Sequence, residues 1–216
     1  IIIDEGNPYM QSVDGVLCNN DKTSLILYPE AKTGDYTLPK GVKKIESRAF
    51  RSFNTKNTTA SKITCNAELE EIAGYAFYSA RVNSIDLSSC KNLKTIGSFA
   101  FGNIKGMTEF TVPASLEEIY TDIFAESPFV KVTIPAGSQL NTIHTSAFNR
   151  MTYFTTLEIA PSCPLETIET KAFYGCKGLK SIALPKTVTT IGASAFSGCK
   201  ALEKVTFADD AAITTI

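Results

Sequence analysis

His144 is the single histidine of this 216-residue sequence, and histidine is the side chain best suited to moving protons near neutral pH. An imidazole used for hydrolysis needs a nucleophile or a carboxylate fixed beside it. His144 follows the apolar Ile143, no repeat position supplies an evident partner, and it reads as a surface or half-buried structural residue. Paired carboxylates, the other hydrolytic signature, occur as Glu70-Glu71 and Glu117-Glu118. Six cysteines, Cys18, Cys65, Cys90, Cys163, Cys176 and Cys199, contain no CxxC pair, so neither a zinc site nor a redox motif is supported. No glycine-rich phosphate loop is present; Gly97, Gly102 and Gly106 fall in turns. The catalytic, metal and cofactor sets are therefore empty. The better binding candidates are tyrosines, Tyr75, Tyr78, Tyr120, Tyr153 and Tyr174, because partly exposed Tyr is enriched at interfaces. The competing reading, which is preferred, has them covering the convex side of the core.

The elements that carry these residues repeat. Leu165, Ile168 and Phe173 form an apolar column that recurs as Val42/Ile45/Phe50, Leu69/Ile72/Phe77, Leu93/Ile96/Phe101, Leu116/Ile119/Phe124, Leu140/Ile143/Phe148 and Val188/Ile191/Phe196. Successive Phe residues are 27, 24, 23, 24, 25 and 23 positions apart, a period that signals a solenoid. Each unit also holds an alternating pair, Ile63/Cys65, Ile85/Leu87, Phe110/Val112, Val132/Ile134, Leu157/Ile159, Ile182/Leu184 and Val205/Phe207. Alternation on successive rungs predicts a parallel sheet of short strands. Pro39, Pro113, Pro135 and Pro185, having no N–H to donate, end strands and turn the chain away. The Leu-to-Phe half of each rung is too short for a full helix and predicts a second extended segment followed by a turn or one helical turn.

Rung stacking gives the acidic pairs a structural role. They occupy positions where neighbouring rungs carry Lys43-Lys44 and Lys94-Thr95, so stacking sets acid against base across rungs. Such exposed pairs contribute roughly 0.2–1 kcal/mol each. Cys176 and Cys199 each follow their Phe by three positions and should stack as small buried thiols rather than a disulfide. The outward strand positions form two columns, Lys62, Ser84, Glu109, Lys131, Thr156, Ser181, Lys204 and Thr64, Asp86, Thr111, Thr133, Glu158, Ala183, Thr206. This small, polar, mixed face offers neither an aromatic platform nor a basic track.

Composition narrows the function classes. A net charge of −1 leaves no field that favours nucleic acid, and no apolar run reaches the roughly 18–20 residues that span a bilayer. Near the start, two apolar runs, Val13 to Cys18 and Leu25 to Tyr28, flank the turn-forming Asn19-Asn20-Asp21-Lys22 and predict a β-hairpin insert at about 9–29. Residues 51–61 predict an exposed loop whose Asn57-Thr58-Thr59 fits an N-glycosylation acceptor. Ile213 and Ile216 restart the column without its Phe, so both ends are expected to cut through rungs of a larger protein.

The pattern LxxIxxxAF, then GC, then LxxIxLP resembles the BspA-like, or Treponema pallidum type, class of leucine-rich repeats. Pro185, Val188, Ile191-Gly192, Ala195-Phe196, Gly198-Cys199, Leu202 and Val205 carry it most clearly. Asn7-Pro8-Tyr9, Asp14-Gly15-Val16-Leu17 and Tyr28-Pro29 also look like that family's hairpin insert. The chain departs from it at Thr187, where standard leucine-rich repeats carry a capping Asn, and at Ile123, which replaces the Ala before Phe124. The resemblance implies a bacterial surface or secreted protein that attaches to host matrix glycoproteins or other cells, with no catalytic residues to carry over.

The expected fold is a leucine-rich-repeat solenoid of the α/β class, β-rich, with about 23 to 25 residues per rung and little regular helix, in one domain over 1–216. The expected function is a non-enzymatic, monomeric, extracellular or cell-surface repeat protein that binds a protein or glycoprotein without cofactor, nucleic acid or membrane span. The alternative is a spacer projecting another domain, and a glycan-acting enzyme ranks third.

Overall fold

A computed structural model describes residues 1–4, 6–30, 32–51, 62–209 and 213–215, in two compact units, Ile1–Gly106 and Met107–Ile216. The acceptor tripeptide Asn57-Thr58-Thr59, nearly all of the 51–61 segment and Ile216 lie outside the described residues.

The first unit opens with β1 (Met10–Val13), β2 (Val16–Asn19) and β3 (Ser24–Leu27), joined as antiparallel neighbours. The turn expected at Asn19 to Lys22 joins β2 to β3. A second turn, at Asp14-Gly15, divides what reads in the sequence as one apolar run. Both of its residues have positive φ, 50° and 77°, as a two-residue type I′ hairpin turn requires. The chain then alternates between two sheets: β4 (Tyr36–Thr37), β5 (Lys44–Ile45), β6 (Lys62–Thr64), β7 (Glu71–Ile72), β8 (Ser84–Asp86) and β9 (Thr95–Ile96). All pairings among these are parallel, in the orders β4-β6-β8 and β5-β7-β9. β3 pairs parallel with β5, Leu25 beside Ile45. The hairpin insert therefore serves as an end strand of the rung sheet.

The second unit follows the same plan: β10 (Glu109–Thr111), β11 (Glu118–Ile119), β12 (Lys131–Ile134), β13 (Thr142–Ile143), β14 (Thr156–Ile159), β15 (Thr167–Ile168), β16 (Ser181–Leu184), β17 (Thr190–Ile191) and β18 (Lys204–Phe207). The even-numbered strands form one parallel sheet and the odd-numbered ones the other. The register pairs like with like, Val132 with Leu157 and Ile182 with Val205 in one sheet, Ile119 with Ile143 with Ile168 with Ile191 in the other. The expected second extended segment is thus a sheet of its own, two residues wide per rung, and the described residues contain no helix.

Both cores are aromatic columns. Phe50 stacks on Phe77 at 4.7 Å and Phe77 on Phe101 at 5.5 Å, with Tyr28 closing the end at 4.9 Å from Phe50. In the second unit Phe148 lies 5.3 Å from Phe124 and 4.9 Å from Phe173, which stacks 5.2 Å from Phe196. These separations follow the spacing of hydrogen-bonded neighbouring strands, about 4.8 Å, so the repeat Phe rings of successive rungs stack in contact. Each complete burial contributes about 1.5–3 kcal/mol.

Delivering that Phe takes an unusual backbone. The residue two before it has positive φ in every rung: Arg48, Tyr75, Phe99, Asp122, Ser146, Lys171 and Ser194, all between 56° and 62°. Two after it, Ser79, Asn103, Glu126 and Arg150 are also left-handed, and Gly175 and Gly198 take the same place in later rungs. This double reversal aims the Phe N–H along the stack. It donates to the carbonyl of the residue before the next Phe, Phe50 to Ala76, Phe77 to Ala100, Phe148 to Ala172 and Phe173 to Ala195, at 2.7–2.8 Å. A ladder of hydrogen bonds thus continues through turns that belong to no strand.

Candidate functional site

In-register stacking sets the residue after each repeat Ile on one line, and in the second unit that line reads Tyr120, His144, Glu169. The His144 ring lies nearly parallel to Tyr120, 5.0 Å away and 13° off. Its Nδ1 is 3.2 Å from Glu169 Oε1 on the following rung, and its Nε2 is 3.3 Å from Glu118 Oε2 on the preceding one. Nε2 is sealed from solvent and makes no well-directed hydrogen bond, so the contact with Glu118 is an ion-pair approach. Glu169 is oriented by Thr145, whose N–H and hydroxyl donate to its Oε2 at 2.8 and 3.0 Å. The sequence expectation that no carboxylate stands beside His144 is therefore corrected, with two flanking it. Glu118 escapes a sequence search because it lies 26 residues away, on another rung and two positions off the histidine's own line, whereas Glu169, 25 residues away on that line, follows from the repeat spacing.

The electrostatics follow the contacts. The Tyr120 hydroxyl, then His144, hold the Glu118 carboxyl below its ordinary value, while Glu169 opposes them. Burial pushes Glu169 upward, but the two Thr145 donors and His144 outweigh it and leave this carboxyl lowered as well. Glu118 in turn raises the Tyr120 phenol. Chemically the cluster can hold charge between two carboxylates. The nearby hydroxyl of Thr145 is spent on Glu169 and is not presented to the imidazole as a nucleophile.

The other acidic pair behaves as stacking predicts. Lys43 meets Glu70 at 3.0 Å and Lys44 meets Glu71 at 3.3 Å. The outward columns pair in the expected register and add Lys62 with Asp86 at 2.9 Å and Lys131 with Glu158 at 2.7 Å. All six cysteines are free thiols; Cys176 and Cys199 stack as expected, their Sγ atoms donating to the Phe148 and Phe173 carbonyls at 3.0 and 3.1 Å. Among the described residues, no three His, Cys, Asp or Glu side chains converge as metal ligands, and no helix is long and apolar enough to cross a membrane.

The five tyrosines divide. Tyr75 and Tyr78 are half-buried in one cluster, 5.4 Å apart, with Phe99 stacked on Tyr75 at 5.1 Å and the Arg48 guanidinium 5.5 Å from the centre of the Tyr75 ring. Phe99 draws no attention in the sequence, although it falls in the same column as Tyr75, two before the repeat Phe. Tyr120, Tyr153 and Tyr174 are 37%, 67% and 38% exposed, so Tyr153 stands mostly clear of the core while the other two bury more than half of their surface. Positions outside the apolar skeleton have no fixed burial from sequence, since the turn geometry aims them.

The BspA type leucine rich repeat region signature matches residues 27–155 and 141–216, in 6 copies. No curated protein matches the chain. Among solved structures, a leucine-rich repeat protein from Eubacterium ventriosum is similar at 27% identity and a TM-score of 0.74, over 90% of this chain and 51% of that one. A leucine rich cell surface protein from Faecalibacterium prausnitzii matches at 24% identity and a TM-score of 0.65, over 94% and 56%. The pneumococcal vaccine antigen PcpA matches in fold at 21% identity and a TM-score of 0.52, over 96% and 50%. The chain spans about half the length of each. The repeat signature, the paired sheets of rung strands in each unit and their Phe columns agree, and the chain belongs to the BspA type leucine-rich repeat family, with a leucine-rich-repeat solenoid fold.

Proposed function

We propose that this chain is a non-catalytic recognition module of a bacterial surface protein, which adheres to a protein or glycoprotein partner. The observation that carries the reading is the exposure of Tyr120, Tyr153 and Tyr174 on rungs whose cores are already filled by the repeat Phe. Large amphipathic rings held by a rigid scaffold give contact area at little entropic cost. Tyr75 and Tyr78 form a second, half-buried aromatic candidate surface in the first unit. The surface location is supported by two proteins of similar fold, a cell surface protein and a vaccine antigen. The partner is expected to meet a monomer, without a cofactor.

The test is binding of the chain to a panel of host matrix glycoproteins and isolated glycans at two salt concentrations, beside a Tyr120→Ala, Tyr153→Ala variant. Saturable binding to one component, weakened in the variant, supports the module. Absence of binding across the panel favours instead a spacer that projects another domain.

A further inference from the structure

His144 touches both neighbouring rungs through groups that titrate. From the preceding rung Glu118 and Tyr120 face it, and from the following rung Glu169 does. No other cation lies within ion-pair distance of either carboxylate among the described residues. The two carboxylates also act on each other unfavourably. A neutral imidazole has one N–H and one bare lone pair, whereas the imidazolium donates from both nitrogens. Here each nitrogen faces a carboxylate oxygen, an arrangement complementary to the imidazolium and repulsive at one end for the neutral ring.

We infer that His144 is a proton-operated staple, which as the imidazolium ties the rung of Glu118 to the rung of Glu169 and on losing its proton releases one of them. Histidine changes charge in the range of about pH 5 to 8. Both carboxyls are held below their ordinary values, so they stay charged in mild acid and the staple fails in acid only once they protonate. The position of this device, directly under the exposed Tyr120 ring, ties local rung order to pH. It requires no assumption about what the chain binds.

Because the chain has one histidine, the Hε1 signal of its imidazole is assigned without ambiguity. The test follows that signal by NMR from pH 4.5 to 8.5 in the native chain, in E118Q, in E169Q and in the double variant E118Q/E169Q. The expected result is a ring that holds its proton about tenfold more weakly in the double variant than in the native chain, one pH unit at the midpoint, with each single variant between. The singles carry the test if the double variant does not fold. Equal proton affinity in the native and substituted chains overturns the staple, as does a proton held more tightly once the carboxylates are gone.

Discussion

Glu126→Gly should stabilise this protein, although it deletes a side chain in favour of a residue that weakens regular structure. Glu126 lies two positions after Phe124 with φ of 60°, is exposed, and makes no ion pair among the described residues. Holding an L-residue left-handed costs about 1–2 kcal/mol. Glycine avoids that cost but loses about 0.5–1 kcal/mol more backbone entropy on folding. The difference leaves about 0.5–1 kcal/mol in favour of the substitution, and glycine already stands at the equivalent Gly175 and Gly198, where φ is 72° and 78°. The opposite change, Gly198→Ala, meets both the backbone cost and crowding, since its Cβ would lie 3.3 Å from Gly175 Cα and 3.4 Å from Gly175 N. It should destabilise by about 1 kcal/mol or more. Urea unfolding of both variants checks this, with the midpoint moving up for the first and down for the second at unchanged slope. If Glu126→Gly lowers the midpoint while Gly198→Ala leaves it alone, the left-handed column is not a source of strain and the argument fails.

Two further outcomes test the core and its ladders. Phe148→Ala removes a fully buried ring that touches Phe124, Phe154 and Phe173, and should cost about 3–5 kcal/mol in thermal or urea unfolding; a loss under about 1 kcal/mol would show that the column can collapse around the gap. Asp86 is pulled from 3.8 to about 2, first by the Ser88 hydroxyl and then by Lys62 on the preceding rung. A lowered carboxyl stabilises the fold above its ordinary range and loses that contribution as pH falls toward 2, so Asp86→Asn should flatten the decline of melting temperature between about pH 4 and 2. An unchanged decline would place the acid sensitivity elsewhere.

Translation along a stack explains which of these features can be read from residues alone. Equivalent positions of successive repeats must lie one rung apart, so the Phe column, the pairing of Lys43-Lys44 with Glu70-Glu71 and the stacking of Cys176 under Cys199 all follow from spacing. The solenoid class follows too, because seven copies of the apolar column in step leave few folds that can bury them, while the family rests on the LxxIxxxAF, GC and LxxIxLP motifs. Contacts that leave the line of equivalence do not follow. Glu118 reaches His144 diagonally, from two positions earlier on another rung, whereas the Asp14-Gly15 turn inside the run Val13 to Cys18 carries a local signal, Asp-Gly between apolar residues. The exposure of Tyr120, Tyr153 and Tyr174 does not follow either, since it depends on where each turn points its side chains. Period and residue type determined the rung, its core and its register. The left-handed turns, the diagonal contacts and the aim of every side chain outside the column were decided by tertiary structure, because backbone angles at a turn answer to packing against the neighbouring rungs, and no local preference of Arg48, Tyr75 or Glu126 announces them.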